Sequence, residues 1–137
     1  MQNLFINEND EFTIAFSVAI DSKDVIFCDI ERKSLVSSLE SMGKESTDYV
    51  IEDYQATFKK PSFGDISKLY DSILTGDNGA VVNPIEIKFR KISALIKSWN
   101  LKGDEIAPTP EDIRSLHPTI ATAISLLIDV EIGNIFI

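Results

Sequence analysis

The chain has 137 residues, of which 44% are hydrophobic and 26% charged. That is enough for one ordinary domain with a sizeable core, and it argues against global disorder. The formal net charge of -9 argues against wholesale nucleic-acid binding, which needs clustered Lys and Arg against phosphates, and leaves room for a local basic face.

One cysteine, Cys28, cannot form an internal disulfide, which fits a reducing compartment. The start Met1-Gln2-Asn3-Leu4 has no basic region followed by an apolar run, so no secretory signal is expected. The longest apolar stretch, Ile120 to Ile132, is broken by Thr122, Ser125, Asp129 and Glu131 and is too short to span a bilayer. These features predict a cytosolic protein with no membrane and no nucleic-acid partner.

Glu11 to Ile20 alternates with period two. Phe12, Ile14, Phe16, Val18 and Ile20 point one way, and Thr13, Ala15, Ser17 and Ala19 the other, as in a half-buried strand. Asp21 to Asp24 has turn chemistry and Val25 to Ile30 reads as a second short strand, which predicts a hairpin. Leu35, Leu39 and Met42 suit a short helix over Glu31 to Met42, with Gly43 past its end. Tyr49 to Phe58 is read as a strand, with Val50, Tyr54, Ala56 and Phe58 on one face and Glu52 interrupting it.

From Pro61 the period becomes helical. Ser62 and Asp65 form a capping-box pair, Ile66, Leu69, Tyr70, Ile73 and Leu74 make an apolar stripe, and Gly76 ends it. Gly76 to Val82 and Gly43 to Thr47 are expected to be mobile loops. Asn83 to Leu101 is read as one amphipathic helix around which the chain is organised. Asn83 caps it, Pro84 suits its first position, and Glu86 stands where a capping box wants its carboxylate. Ile85, Phe89, Ile92, Ile96 and the only tryptophan, Trp99, follow at spacings of four and three. Thr109, Pro110 and Asp112 open a further short helix, and Pro118 opens the last one. That last helix is apolar around much of its circumference, which predicts a central, buried position. Gly133 and Asn134 end it and leave Ile135-Phe136-Ile137 as an apolar tail.

The pattern predicts an α+β fold in a single domain, 1–137. An N-terminal hairpin or small antiparallel sheet occupies the β-rich half, 1–60. A bundle of about four helices occupies the helical half, 61–137.

No catalytic constellation is visible. His117, the only histidine, precedes Pro118 at a helix junction, where a cap or a solvent-facing side chain is expected, and no Cys or carboxylate stands near it at metal-ligand spacing. Cys28 reads as a small buried hydrophobe without a partner base. The acidic runs match no calcium loop, and Asp77-Asn78-Gly79 is turn chemistry. Gly43-Lys44 lacks the preceding glycine of a phosphate loop. No enzyme activity, metal or cofactor is therefore expected. Lys59, Lys60 and Lys68, with Lys88, Arg90, Lys91 and Lys97, depart from the overall acidity. Two readings stay open for them: an ordinary solvated helix face, or a docking surface for an acidic partner.

The stretch from Phe58 to Ile132 resembles the tail assembly chaperones of tailed bacteriophages. The residues that carry the likeness are Phe58-Lys59-Lys60-Pro61-Ser62-Phe63-Gly64-Asp65, then Leu95-Ile96-Lys97-Ser98-Trp99-Asn100-Leu101, then Pro108 to Pro118 followed by a helix rich in Ile and Ala. The resemblance covers a little over half of the chain and brings no catalytic residue. It implies a morphogenesis protein in the host cytoplasm that coats the tape-measure protein and recruits tail-tube subunits, with self-association left open. Some family members also occur as a longer, frameshifted product. A structural component of the tail or baseplate, retained in the virion, is the alternative. On this reading the partner surface comprises Lys88, Arg90, Lys91 and Lys97 together with Ile135, Phe136 and Ile137.

Overall fold

In the computed structural model, residues 4–75 and 83–133 are described, without the side chains of residues 73–75. The expected stop at Gly76, the loop to Val82, the Asp77-Asn78-Gly79 turn, the stop at Asn134 and the tail Ile135-Phe136-Ile137 lie outside the described residues. So do the side chains of Ile73 and Leu74.

The α+β class holds. Among the described residues, four antiparallel strands form one sheet of order β2-β1-β3-β4, and five α-helices accompany it. The central strand β1, Glu11–Asp21, pairs along its whole length with β3, Tyr49–Lys59, from Glu11 opposite Lys59 to Asp21 opposite Tyr49. The short edge strand β2, Ile26–Asp29, completes the predicted hairpin. Asp21 closes its turn: its Oδ1 accepts from the Lys23 and Val25 amides at 2.8 and 2.9 Å. Asp24 takes the left-handed conformation at φ 61°, which aspartate tolerates better than most residues.

Alternation along β1 sends Phe12, Ile14, Phe16 and Val18 to one face, where all four are buried. Opposite them in register stand Phe58, Ala56, Tyr54 and Glu52. Glu52 does not break the strand, because it falls at the end of this face and stays in solvent. The reverse face is covered only at one end, by α1, Arg32–Ser41, whose Leu35 and Leu39 pack with Ala19 against Phe27, Tyr49 and Ile51. Arg32 fastens this helix by ion-pairing Asp53 at 2.9 Å, while the Ser17 hydroxyl donates to the same carboxylate at 2.6 Å.

The remaining helices are α2, Phe63–Thr75; α3, Pro84–Leu95; α4, Pro110–Arg114; and α5, Pro118–Ile132. Their caps follow the sequence. Ser62 and Asp65 bond reciprocally at 3.0 and 3.2 Å, as do Thr109 and Asp112 at 3.0 and 3.1 Å. Asn83 accepts from the Glu86 amide at 2.8 Å. The Glu86 carboxylate, however, turns to Arg114 and Arg90 instead of back to the cap.

The long helix read over Asn83 to Leu101 is two elements. α3 ends at Leu95, and Ile96–Trp99 is β4, paired antiparallel with Ala56, Thr57 and Phe58. No glycine or proline breaks the helix. The spacing of Ile92, Ile96 and Trp99 suits a helix, but Ile96-Lys97-Ser98-Trp99 also alternates, and pairing with β3 wins. The four C-terminal helices are present, yet α3, α4 and α5 share the core of the sheet instead of forming one among themselves, and α2 packs on α3. Ile92 and Leu95 of α3, Ile113 of α4 and Ile120, Ile124 and Ile128 of α5 join the apolar face of β1 and β3 in one buried cluster. α5 is not enclosed on all sides as expected, for Leu126 is 60% and Val130 78% exposed. No helix among the described residues is long and apolar enough to cross a membrane.

Trp99 is 2% exposed within this cluster. Its backbone exchanges two hydrogen bonds of 2.9 Å with Ile106, which covers the outer edge of β4. Trp99→Ala is expected to cost about 3–5 kcal/mol, as large-to-small changes of a buried aromatic do. Urea unfolding of both proteins measures it, and a loss below about 1 kcal/mol would contradict a core role.

Candidate functional site

The four basic residues expected to share a face do not form one surface. Lys91 points into the protein: it is 3% exposed and its ammonium pairs with Asp129 of α5 at 2.7 Å. Burial of a charge on this scale needs such a partner, so Lys91 ties α3 to α5 and is not offered to solvent. Arg90 donates to the backbone carbonyl of Ser72 and pairs with Glu86 at 3.6 Å, bridging α2 and α3. Lys97 sits on β4 at the register shift beside Thr57 and Phe58, where it pairs with Glu11 at 3.0 Å. Lys88 faces a groove between α3, α4 and α5, and its Nζ donates to the Thr122 hydroxyl at 3.3 Å. Ile135, Phe136 and Ile137 lie outside the described residues.

The groove at Lys88 runs between α3, α4 and the first turns of α5 and has a volume of about 430 Å³. That is within the range of ordinary ligand clefts. Phe89, Ile92, Ile113, Leu116, Pro118 and Ala121 supply its apolar surface. One wall is a stack: the Arg114 guanidinium lies 3.6 Å from the Phe89 ring centroid, and its two terminal nitrogens reach the Glu86 carboxylate at 3.1 and 3.2 Å. This forked, stacked geometry suits arginine in particular. Hydrogen bonding from Arg114 holds the Glu86 carboxyl below its ordinary range, and Glu86 in turn raises the Arg114 guanidinium above its own. The sequence offered no sign of this wall, because Glu86, Phe89 and Arg114 come from two separate elements.

A second concavity, of about 420 Å³, lies between α2 and α3, with Lys59, Lys68 and Arg90 on its lining. Lys59 is paired there with Asp65 at 3.2 Å. Lys60 is exposed.

His117 caps α5, its Nδ1 accepting from the Thr119 amide at 3.2 Å. Cys28, on β2, packs partly buried against the main core, and that burial pushes its thiol up to about 11. Among the described residues no group of three or more His, Cys, Asp or Glu is placed to hold a metal ion. The buried Trp99 indole Nε1 has no hydrogen-bond partner among the described residues.

No protein-family model, curated protein or solved structure matches this chain.

Asp129→Ala should destabilise the protein by about 2–4 kcal/mol, because it strands the Lys91 charge; a fully enclosed pair would cost somewhat more. Lys91→Met combined with Asp129→Leu should recover most of that loss, which chemical denaturation of the single and double variants tests. If Asp129→Ala alone is neutral, the pair does not hold α3 on α5.

The Cys28 thiol predicts slow alkylation. Only the thiolate reacts, so the rate in the folded protein should rise about tenfold per pH unit up to roughly pH 11. The unfolded chain should level off near pH 9, close to the ordinary thiol value. Because the folded pKa is the higher one, the stability this thiol contributes is present below pH 9 and lost between about 9 and 11. Iodoacetamide kinetics on folded and urea-unfolded protein check it, and a folded-state plateau near pH 9 would contradict the burial of the thiol.

Proposed function

We propose that this chain is a non-catalytic binding protein of bacteriophage tail morphogenesis that acts as a tail assembly chaperone. It would work in the host cytoplasm, holding the tape-measure protein and recruiting tail-tube subunits to it. The observation that carries the reading is the outward apolar surface of the helical layer. Leu126 and Val130 stand one turn apart on the free side of α5, and Ile85 is 77% exposed at the mouth of the α3–α4–α5 groove. Exposed apolar side chains grouped on helices suit contact with a long helical partner. The resemblance of Phe58 to Ile132 to tail assembly chaperones supplies the choice of partner.

Co-expression with a bacteriophage tape-measure protein tests the proposal. The two should co-purify, and the double substitution Leu126→Glu with Val130→Glu should abolish co-purification. Melting should change little, because both side chains already face water. Failure of the unaltered chain to bind, or binding indifferent to the double substitution, counts against the reading. Mass spectrometry of purified particles should find the chain absent; its presence in stoichiometric amount would make it a structural tail protein instead.

A further inference from the structure

Lys88 is the unneutralised charge in the α3–α4–α5 groove. The chain carries 22 acidic side chains against 13 Lys and Arg, and the other two cations of α3, Arg90 and Lys91, have carboxylate partners. The half-buried Lys88 ammonium has three donors. One goes to the Thr122 hydroxyl, and no carboxylate among the described residues pairs with it. The other charges of the groove are satisfied internally, since Glu86 and Arg114 hold each other in two hydrogen bonds. The groove thus offers an occupant an apolar surface and one available positive charge.

We propose that this groove docks a protein segment carrying a bulky apolar side chain next to an Asp or Glu. The carboxylate pairs with Lys88, and the apolar side chain rests on Phe89 and Ile113. An acidic group is selected because the one carboxylate among the described lining residues, Glu86, already faces two arginines and is not left to attract a cation. A segment of a protein is selected over a small molecule by the open rim. Ile85 and the Arg114 side chain are 77% and 54% exposed, so the occupant keeps one side in water, as a docked helix or strand does. The occupant is a segment of a partner protein, defined by its chemistry, so the inference does not depend on the tail-assembly reading.

The test is selection of random short peptides displayed on phage particles against the full chain. Enriched peptides are then synthesised and measured against the unaltered protein, Lys88→Met, Lys88→Glu and Lys33→Glu. Lys33 lies exposed on α1, across the sheet, and serves as the charge control. Enriched peptides should share an apolar residue adjoining Asp or Glu. Lys88→Met should weaken them roughly tenfold, the scale of one part-buried charge pair, Lys88→Glu should weaken them further, and Lys33→Glu should leave them unchanged. Backbone amide shifts on titration should concentrate at Phe89, Ile113 and Ala121. If a Lys88 variant melts early, replacing the peptide's own acid by Asn or Gln must produce the same loss with the unaltered protein. Peptides without a shared acid, affinities indifferent to Lys88, or shifts centred elsewhere overturn the proposal. So does the absence of any enriched peptide while 3-phenylpropanoate binds in the groove, which would make it a small-molecule site.

Discussion

The full-length pairing of β1 with β3 is the constraint on which the other elements depend. Eleven residues of each strand are in antiparallel register, and register by period two decides which face every side chain occupies. With Phe12 opposite Phe58 and Ile14 opposite Ala56, one face becomes a continuous apolar surface long enough to receive α3, α4 and α5. A slip of one residue would put Thr13, Ala15 and Ser17 there instead, and the helices would have nothing to cover. The same register sets Ser17 opposite Asp53 on the reverse face, so that Arg32 can anchor α1 over the only apolar part of that face.

Once the β1–β3 surface exists, it recruits the segment after α3 as an additional strand. The backbone turns extended at Ile96, with ψ 133°, and enters the sheet without a loop. α3 is thereby held at the sheet edge by its own continuation, while Lys91 and Asp129 fix it to α5 at the other side. Along its N-terminal half α3 meets α4 through the Arg114 stack and the start of α5 through the Lys88–Thr122 hydrogen bond, with a gap between these contacts. The groove at Lys88 is that gap, and the Arg114–Phe89–Glu86 stack holds one of its walls. A concavity walled by three braced helices would lose little conformational freedom on taking up an occupant, which favours affinity.

The amino-acid sequence alone determined the features that rest on neighbouring residues. The alternation of β1, the Asp21 turn, the capping boxes at Ser62 and Thr109, the prolines opening α3, α4 and α5, and the cap at His117 are local chemistry, and each stands where the spacing placed it. Tertiary structure alone decided the rest. Ile96 to Trp99 satisfied a helical period and a strand period equally, and only the waiting edge of β3 chose between them. Lys88, Arg90, Lys91 and Lys97 looked alike as a basic run, yet Lys91 is drawn inside by Asp129, 38 residues away, and Lys97 leaves the helix with the strand. The helical period told which residues of α5 were apolar but not which side the sheet would cover, so Leu126 and Val130 remain in solvent. A charge or an apolar side chain carries no mark in its own sequence neighbourhood of the partner that chain folding will bring to it.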